Sequence, residues 1–238
     1  MSGRADPQTP TPAAVARLAG LTPLDGPARA ALNAAVRRPR RYLPRRELLS
    51  EGQEITETLL VLSGWAARVR TLEDGRRQII NFLLPGDLVG SCEHERPLAL
   101  STIIAVTQVD ACVAPGAGVS PALARAYGLS RAYEEKHLLA HVTRLGRYDA
   151  REKIADFLLE LLDRLELAGL AADGRYLMPI TQEVMADALG LTSVHVNRMV
   201  QTLRRDEAVI WKGRELHIRN PAALARSIGR SAFHVTAG

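Results

Sequence analysis

The apolar positions of this chain change their period as one reads along it. Residues 42–114 hold short apolar runs at 58–62, 66–71, 78–84, 102–107 and 111–114, separated by the turn pairs Glu51-Gly52, Ser63-Gly64, Asp74-Gly75 and Pro85-Gly86. Runs of that length between such turns predict antiparallel strands. Residues 59–62 are almost wholly apolar and 78–84 alternate only in part, so some strands are covered on both faces and the sheet is rolled or sandwiched. Before this region, residues 21–36 carry Leu24, Ala28, Leu32 and Ala35 at helical spacing, with Pro23 and Pro27 in the opening turns. After it, from about 121 to 167, the period is again helical through Leu138, Val142 and Leu145, then Ile154, Phe157, Leu158, Leu161, Leu162 and Leu165. A break at Gly146, Asp149 and Arg151 marks a hinge. The narrow seam at Leu138, Val142 and Leu145 predicts either a long helix paired with its twin in a dimer or an ordinary helix lying on the β-domain.

The stretch 180–210 reads as two short helices around a tight turn. Thr181 is placed to cap the first helix, in which Val184, Met185, Ala188 and Leu189 form the apolar face, and Gly190 supplies a backbone able to turn. Thr192 caps the second, in which Val196, Met199, Val200 and Leu203 form the apolar stripe and Ser193, His195, Asn197, Arg198 and Gln201 lie on or beside the opposite face. Apolar runs flanking Lys212-Gly213-Arg214 predict a hairpin with a basic tip, hence a wing. A helix-turn-helix with a wing buries one side of its second helix and offers the other to a groove, the geometry that reads base edges in double-stranded DNA.

Composition fits this picture. The chain has 238 residues, 47% hydrophobic and 24% charged, enough for one or two globular domains. From 191 to 238 there are eight Lys and Arg against three acids, a net +5 equal to that of the whole chain, the footprint expected of a phosphate-contacting surface. Residues 1–20 are proline-rich and poor in apolar mass, which predicts a flexible tail entering a helix rather than a signal peptide. No apolar run reaches membrane-spanning length, and two cysteines, Cys92 and Cys112, fit neither a metal motif nor a disulfide scaffold, so a reducing cytoplasmic location is expected. No glycine-rich phosphate loop, nucleophile elbow or metal-binding His-Glu helix is present, so the chain reads as a non-enzyme.

The order helix, roll, long helix, hinge and winged domain resembles the Crp/Fnr family of bacterial transcription regulators over about residues 25–220. The resemblance rests on Gly64, on Asp74-Gly75-Arg76-Arg77-Gln78-Ile79, on Pro85-Gly86-Asp87-Leu88-Val89-Gly90, and on Ile180-Thr181-Gln182-Glu183 through Arg198. It implies an α+β fold in which a flexible tail, 1–20, precedes an N-terminal antiparallel β-roll, a jelly-roll-like effector domain, at 21–128. A dimerisation helix and hinge then follow at 129–150, and a winged helix-turn-helix domain at 151–238. It also implies a homodimer on a palindromic operator, with RNA polymerase as a further partner. Carried over by position, base contacts fall on Val194 and Arg198, and the exposed face adds Ser193, His195 and Asn197; phosphate contacts are expected at Thr181, Thr192, Gln201, Lys212 and Arg214. Many members place a glutamate where Val194 stands, four residues before the arginine matching Arg198. Arg198 retains a guanine contact, whereas Val194 can meet only a thymine methyl, so the operator should differ.

The effector is less legible. Gly86, Asp87, Leu88, Ser101 and Thr102 correspond to a cyclic-nucleotide pocket, but Ser101-Thr102 stand where nucleotide-binding members carry an arginine for the cyclic phosphate, which argues against cyclic AMP. An iron–sulfur cluster needs four thiolates, more than the chain contains. Cys92-Glu93-His94 falls near a haem-ligand position, yet a Cys-x-His of this kind is more often structural. His137 and His141 read as a solvated or interface pair rather than a metal site. No cofactor is therefore expected. The alternatives are a cyclic-nucleotide- or haem-responsive member of the same family, or an effector-binding or protein-docking module that does not bind DNA.

Overall fold

The computed structural model describes residues 12–92, 94–230 and 235. Two helices open it, α1 (Ala13–Leu21) and α2 (Gly26–Ala35). The expected flexible tail of 1–20 is thereby corrected, because Ala14, Val15 and Leu18 are buried in a cluster with Leu60, Leu123 and Tyr127; residues 1–11 lie outside the described residues. Helix α2 begins later than its apolar spacing suggests. Asp25 caps it by accepting from the Ala28 amide, and Pro27 sits in the first turn, where the helix has no use for its missing N–H.

The roll is built from β1 (Arg40–Tyr42), β2 (Glu47–Leu49), β3 (Leu59–Ser63), β4 (Ala66–Thr71), β5 (Arg77–Leu83), β6 (Leu88–Val89), β7 (Thr102–Ala105) and β8 (Val109–Val113). They form two antiparallel four-stranded sheets, in the orders β1-β8-β3-β6 and β2-β7-β4-β5. Leu59, Val61, Ala66, Leu83, Ile103 and Ala111 close the space between them. The five runs expected as strands are β3, β4, β5, β7 and β8. Strands β1, β2 and β6 escape a reading by hydrophobicity because they are two or three residues long and β1 is arginine-rich.

Helix α3 (Pro121–Arg147) follows as one unbroken helix, and the break in apolar spacing around 146–151 coincides with the two residues Tyr148-Asp149 that separate it from α4 (Ala150–Leu167). Asp149 and Glu152 form a reciprocal capping box there, satisfying two free amides and fixing where α4 starts. The remaining elements are β9 (Ala171–Ala172), β10 (Arg175–Leu177), α5 (Gln182–Leu189), α6 (Ser193–Arg205), β11 (Val209–Lys212), β12 (Glu215–Ile218) and α7 (Pro221–Ser227). The last sheet has the order β11-β12-β10-β9. One apolar cluster runs without a break from Trp65, Val69 and Phe82 of the roll through Phe157 and Leu161 of α4 to Met185, Val196 and Leu203. Arg77 of β5 is ion-paired to Asp187 of α5, and Gln78 donates to the Ala188 carbonyl at 3.2 Å. The helix-turn-helix therefore sits directly on the β4–β5 hairpin. Among the described residues no helix is long and apolar enough to cross a membrane.

Candidate nucleic-acid interface

Helices α5 and α6 meet at Gly190, whose φ of 61° lies in the left-handed region and ends α5 at no steric cost. Thr181 and Thr192 cap the two helices, their hydroxyls accepting from the amides of Val184 and His195, each at 3.2 Å. Each hydroxyl keeps its own proton to donate outward. Burial of Val196, Val200 and Leu203 anchors α6 to the domain, each side chain stabilising it by about 1.5–3 kcal/mol. The opposite face is left to solvent: Ser193, Val194, His195, Asn197, Arg198 and Gln201 are exposed, Val194 to 74%. An isolated valine that exposed gains nothing from the fold.

These side chains do not enter solvent on equal terms. Asn197 donates its amide to Gln182 Oε1 at 3.0 Å, a cross-link between the two helices that the sequence does not announce, because nothing in its spacing pairs 182 with 197. The Arg198 guanidinium makes no ion pair or hydrogen bond among the described residues. The wing carries Lys212 and Arg214 exposed at its tip, with Gly213 at φ 57° making the turn. Of the basic residues after 191, Arg219 is paired with Glu207, and Arg230 with Asp156 and Asp163.

Of the five residues expected to form an effector pocket, Asp87 and Leu88 line one small cavity together. A cavity of about 20 Å³ includes Asp87 and Leu88 with Asn81, Ser130, Glu134 and Arg164, but not Gly86, Ser101 or Thr102; it has room for about one water molecule. Asp87 is taken up from within. Its Oδ1 pairs with Arg17 Nη2 at 2.7 Å and its Oδ2 with Arg164 Nη2 at 2.8 Å. Burial acts to raise the Asp87 carboxyl, and the two arginines outweigh it, holding the group below the usual range. Ser101 instead accepts from Arg68, which also pairs with Glu134, while Thr102 accepts from the Glu51 amide. A cyclic nucleotide does not fit this donor set, since the carboxylate and the nearby guanidinium groups are already paired. Cys92 and His94 are exposed, and Glu93 between them lies outside the described residues.

Helix α3 divides its apolar seam between solvent and the interior. Val142 is 68% exposed and Leu139 beside it 62%, whereas Leu138 and Leu145 are half-buried, Leu145 lying close to Gly190 of the helix-turn-helix. The buried face of α3 is apolar in its first half, through Leu123, Ala126 and Tyr127, and polar in its second, with His137, His141 and Arg144 buried. The two histidines are thus neither solvated nor at an outer interface. Desolvation, reinforced by Arg164 and Arg144 respectively, pushes them down to about 3 and about 4, so both are neutral. Arg144 in turn bonds Asp156 at 2.8 Å and Glu160, while Glu160 also meets Arg164 at 3.2 Å. Burial alone would raise Glu160, but Arg144, His137 and Arg164 pull it to about 2. The sequence signal for this buried set is a row of polar and charged residues at helical spacing, at 137, 141, 144 and again at 156, 160, 164. It is hidden among the leucines that share those helices.

Comparison with known proteins agrees with this architecture. The family model described as a cyclic nucleotide-binding domain matches residues 39–125, and that described as a Crp-like helix-turn-helix domain matches 152–227. The nitrogen fixation regulation protein FixK of Bradyrhizobium diazoefficiens is 34% identical over 189 residues, 75% of this chain and 79% of that protein. The transcriptional activator protein FnrL of Cereibacter sphaeroides is 30% identical over 184 residues, 74% of this chain and 73% of its own. The structure of FixK2 from Bradyrhizobium japonicum superposes with a TM-score of 0.68 at 29% identity, covering 79% of this chain and 96% of that one. With the exposed recognition helix and wing in place, the chain belongs to the Crp/Fnr family of DNA-binding transcription regulators.

Proposed function

We propose that this regulator acts as a homodimer on a palindromic operator, with α3 as the dimer helix, Tyr148-Asp149 as the joint and residues 151–238 as the reading head. The observation that carries the proposal is the exposed apolar pair on α3: Leu139 and Val142 are left to solvent, with Leu138 half-buried, while the buried side of the same stretch is taken up by His137, His141 and the ion-paired Arg144. A second copy with its α3 alongside would cover that strip and set two recognition helices about 34 Å apart, one turn of DNA. In this reading Arg198 makes the bidentate guanine contact, with Ser193, Val194 and His195 beside it and Asn197 limited by its bond to Gln182. Thr181, Thr192, Gln201, Lys212 and Arg214 hold phosphates, and RNA polymerase is met by the DNA-bound dimer. The filled space beside Asp87 favours a roll that responds to something other than a cyclic nucleotide.

Selection of duplexes from a random pool, followed by sedimentation of the complex, tests this. The expected result is a two-fold symmetric consensus bound by two chains, and Leu139→Glu should yield a monomer that retains only weak, half-site binding. An asymmetric consensus bound by one chain would overturn the proposal.

A further inference from the structure

Asp87 stands where three parts of the molecule meet. It belongs to the turn between β5 and β6, its carboxylate is shared between Arg17 of α1 and Arg164 of α4, and it also accepts from the Leu84 amide at 2.7 Å. Arg17 does more than neutralise it. One of its nitrogens donates to the Gly86 carbonyl at 2.9 Å and to Ser130 of α3 at 3.1 Å. The turn is shaped around this side chain: Gly86 has φ +95°, and a Cβ there would lie 2.6 Å from Arg17 Cδ. Beyond Arg164 the pairing continues through Glu160, Arg144 and Asp156 to Arg230, so the end of α3, the face of α4 and the segment after α7 belong to one buried series of alternating charges.

We propose that Arg17 is a positioning residue for DNA recognition, a ligand built into the chain that fixes the 85–87 turn in the register in which Asp87 meets Arg164, and thereby fixes α4 and the helix-turn-helix on the roll. The physical reason is that a buried carboxylate cannot give up one of its two guanidinium partners without cost, so the turn and α4 move together or not at all. A reading head held in one orientation has less freedom to lose when it meets two fixed half-sites, which is preorganisation for binding. Arg17 acts through Asp87 and touches no nucleotide itself. The inference rests on the DNA-binding reading above.

Arg17→Met keeps the length of the stem and removes the charge, and Arg17→Lys restores a charge at the same place. The probe is the duplex selected by the wild-type protein from a random pool, with a scrambled duplex as reference, and folding of each variant is checked by circular dichroism. Arg17→Met is expected to weaken selected-duplex binding at least about fivefold, to leave the selected consensus unchanged, and to raise amide hydrogen exchange in α4 and α5 as well as at 84–88; Arg17→Lys should recover most of the affinity. The inference is overturned if folded Arg17→Met binds the selected duplex as tightly as wild type or more tightly, or if faster exchange stays confined to α1 and the turn. A wild-type protein that binds no duplex would instead sink the DNA-binding reading, so the two failures are distinct.

Discussion

Arginine serves two regions of this molecule under opposite electrostatic conditions. Arg17, Arg144 and Arg164 are buried, and each closes on at least one carboxylate. Arg198 and Arg214, with Lys212, are exposed and have no ion-pair partner among the described residues. The difference follows from desolvation. A guanidinium taken out of water must be paired fully or it costs several kcal/mol, whereas one left in water loses little by waiting for a phosphate or a guanine. The buried arginines therefore define how the halves of the protein are held, and the exposed ones define what the protein can hold. Truncation at Arg144 should show first as lost stability and truncation at Arg198 or Lys212 as lost binding with unfolding unchanged, while Arg17, buried yet linked to the reading head, should register in binding as well.

The contrast is sharpest at Arg144, which is 2% exposed and meets both Asp156 and Glu160. Arg144→Ala leaves Asp156 and Glu160 each one guanidinium partner short in the interior and should cost about 3–5 kcal/mol in urea unfolding. A loss under about 1 kcal/mol would mean water already reaches the series, and the distinction between buried and exposed arginines would collapse.

Next in size is a dependence on pH. His137 and His141 have folded values of about 3 and about 4, below the ordinary 6.5 of the unfolded chain, so as pH falls the unfolded state takes up protons first. The stability they leave intact is present above about pH 6.5 and is lost from there down to about pH 4 for His141 and about pH 3 for His137, at about 1.4 kcal/mol per unit for each. Unfolding free energies measured at pH 7 and pH 5 should differ accordingly, and the double variant His137→Gln, His141→Gln should flatten the difference. Equal stability at both pH values in the wild type would show that these histidines are hydrated.

How far these regions can be read in the sequence depends on whether their residues obey a local rule. Gly190, Thr181 and Thr192 act within a few residues of themselves, and the apolar stripe at 196, 200 and 203 repeats at the helical period, so the recognition helix and its boundaries are legible. The five longer strands are legible for the same reason. Asp87 resembles a ligand-binding carboxylate as long as only its neighbours in the chain are considered, but its partners are 70 residues back and 77 ahead, and no period connects them. The inner face of the second half of α3 is illegible because an ion-paired arginine can replace a leucine in an interior when its partners lie on another helix. Helix α1 is masked because the proline-rich residues preceding it dilute the signal of three buried apolar side chains.

On the exposed side the largest effect belongs to Arg198. Arg198→Ala should leave unfolding unchanged within about 0.5 kcal/mol, as is usual for a surface position, and remove about 1–3 kcal/mol of discrimination at one base pair of each half-site. Competition with operator variants at that pair measures it. Full discrimination in the variant would transfer base reading to His195 or Ser193.

The smallest effect, and the finest test of what an unpaired charge is for, lies on the wing. Lys212 is exposed at the hairpin tip and outside the recognition helix, so its ammonium can neutralise a phosphate without reaching a base edge. Lys212→Ala should weaken selected and scrambled duplexes by the same factor, leaving the ratio between them unchanged. It should also lower the slope of log affinity against log salt by about 0.9 for each phosphate left without its ammonium. Titrations at several salt concentrations give both quantities at once. An unchanged slope would leave Lys212 solvated in the complex, and a changed ratio between the duplexes would make the wing a reader of sequence, which an unpaired lysine at a glycine turn is not built to be.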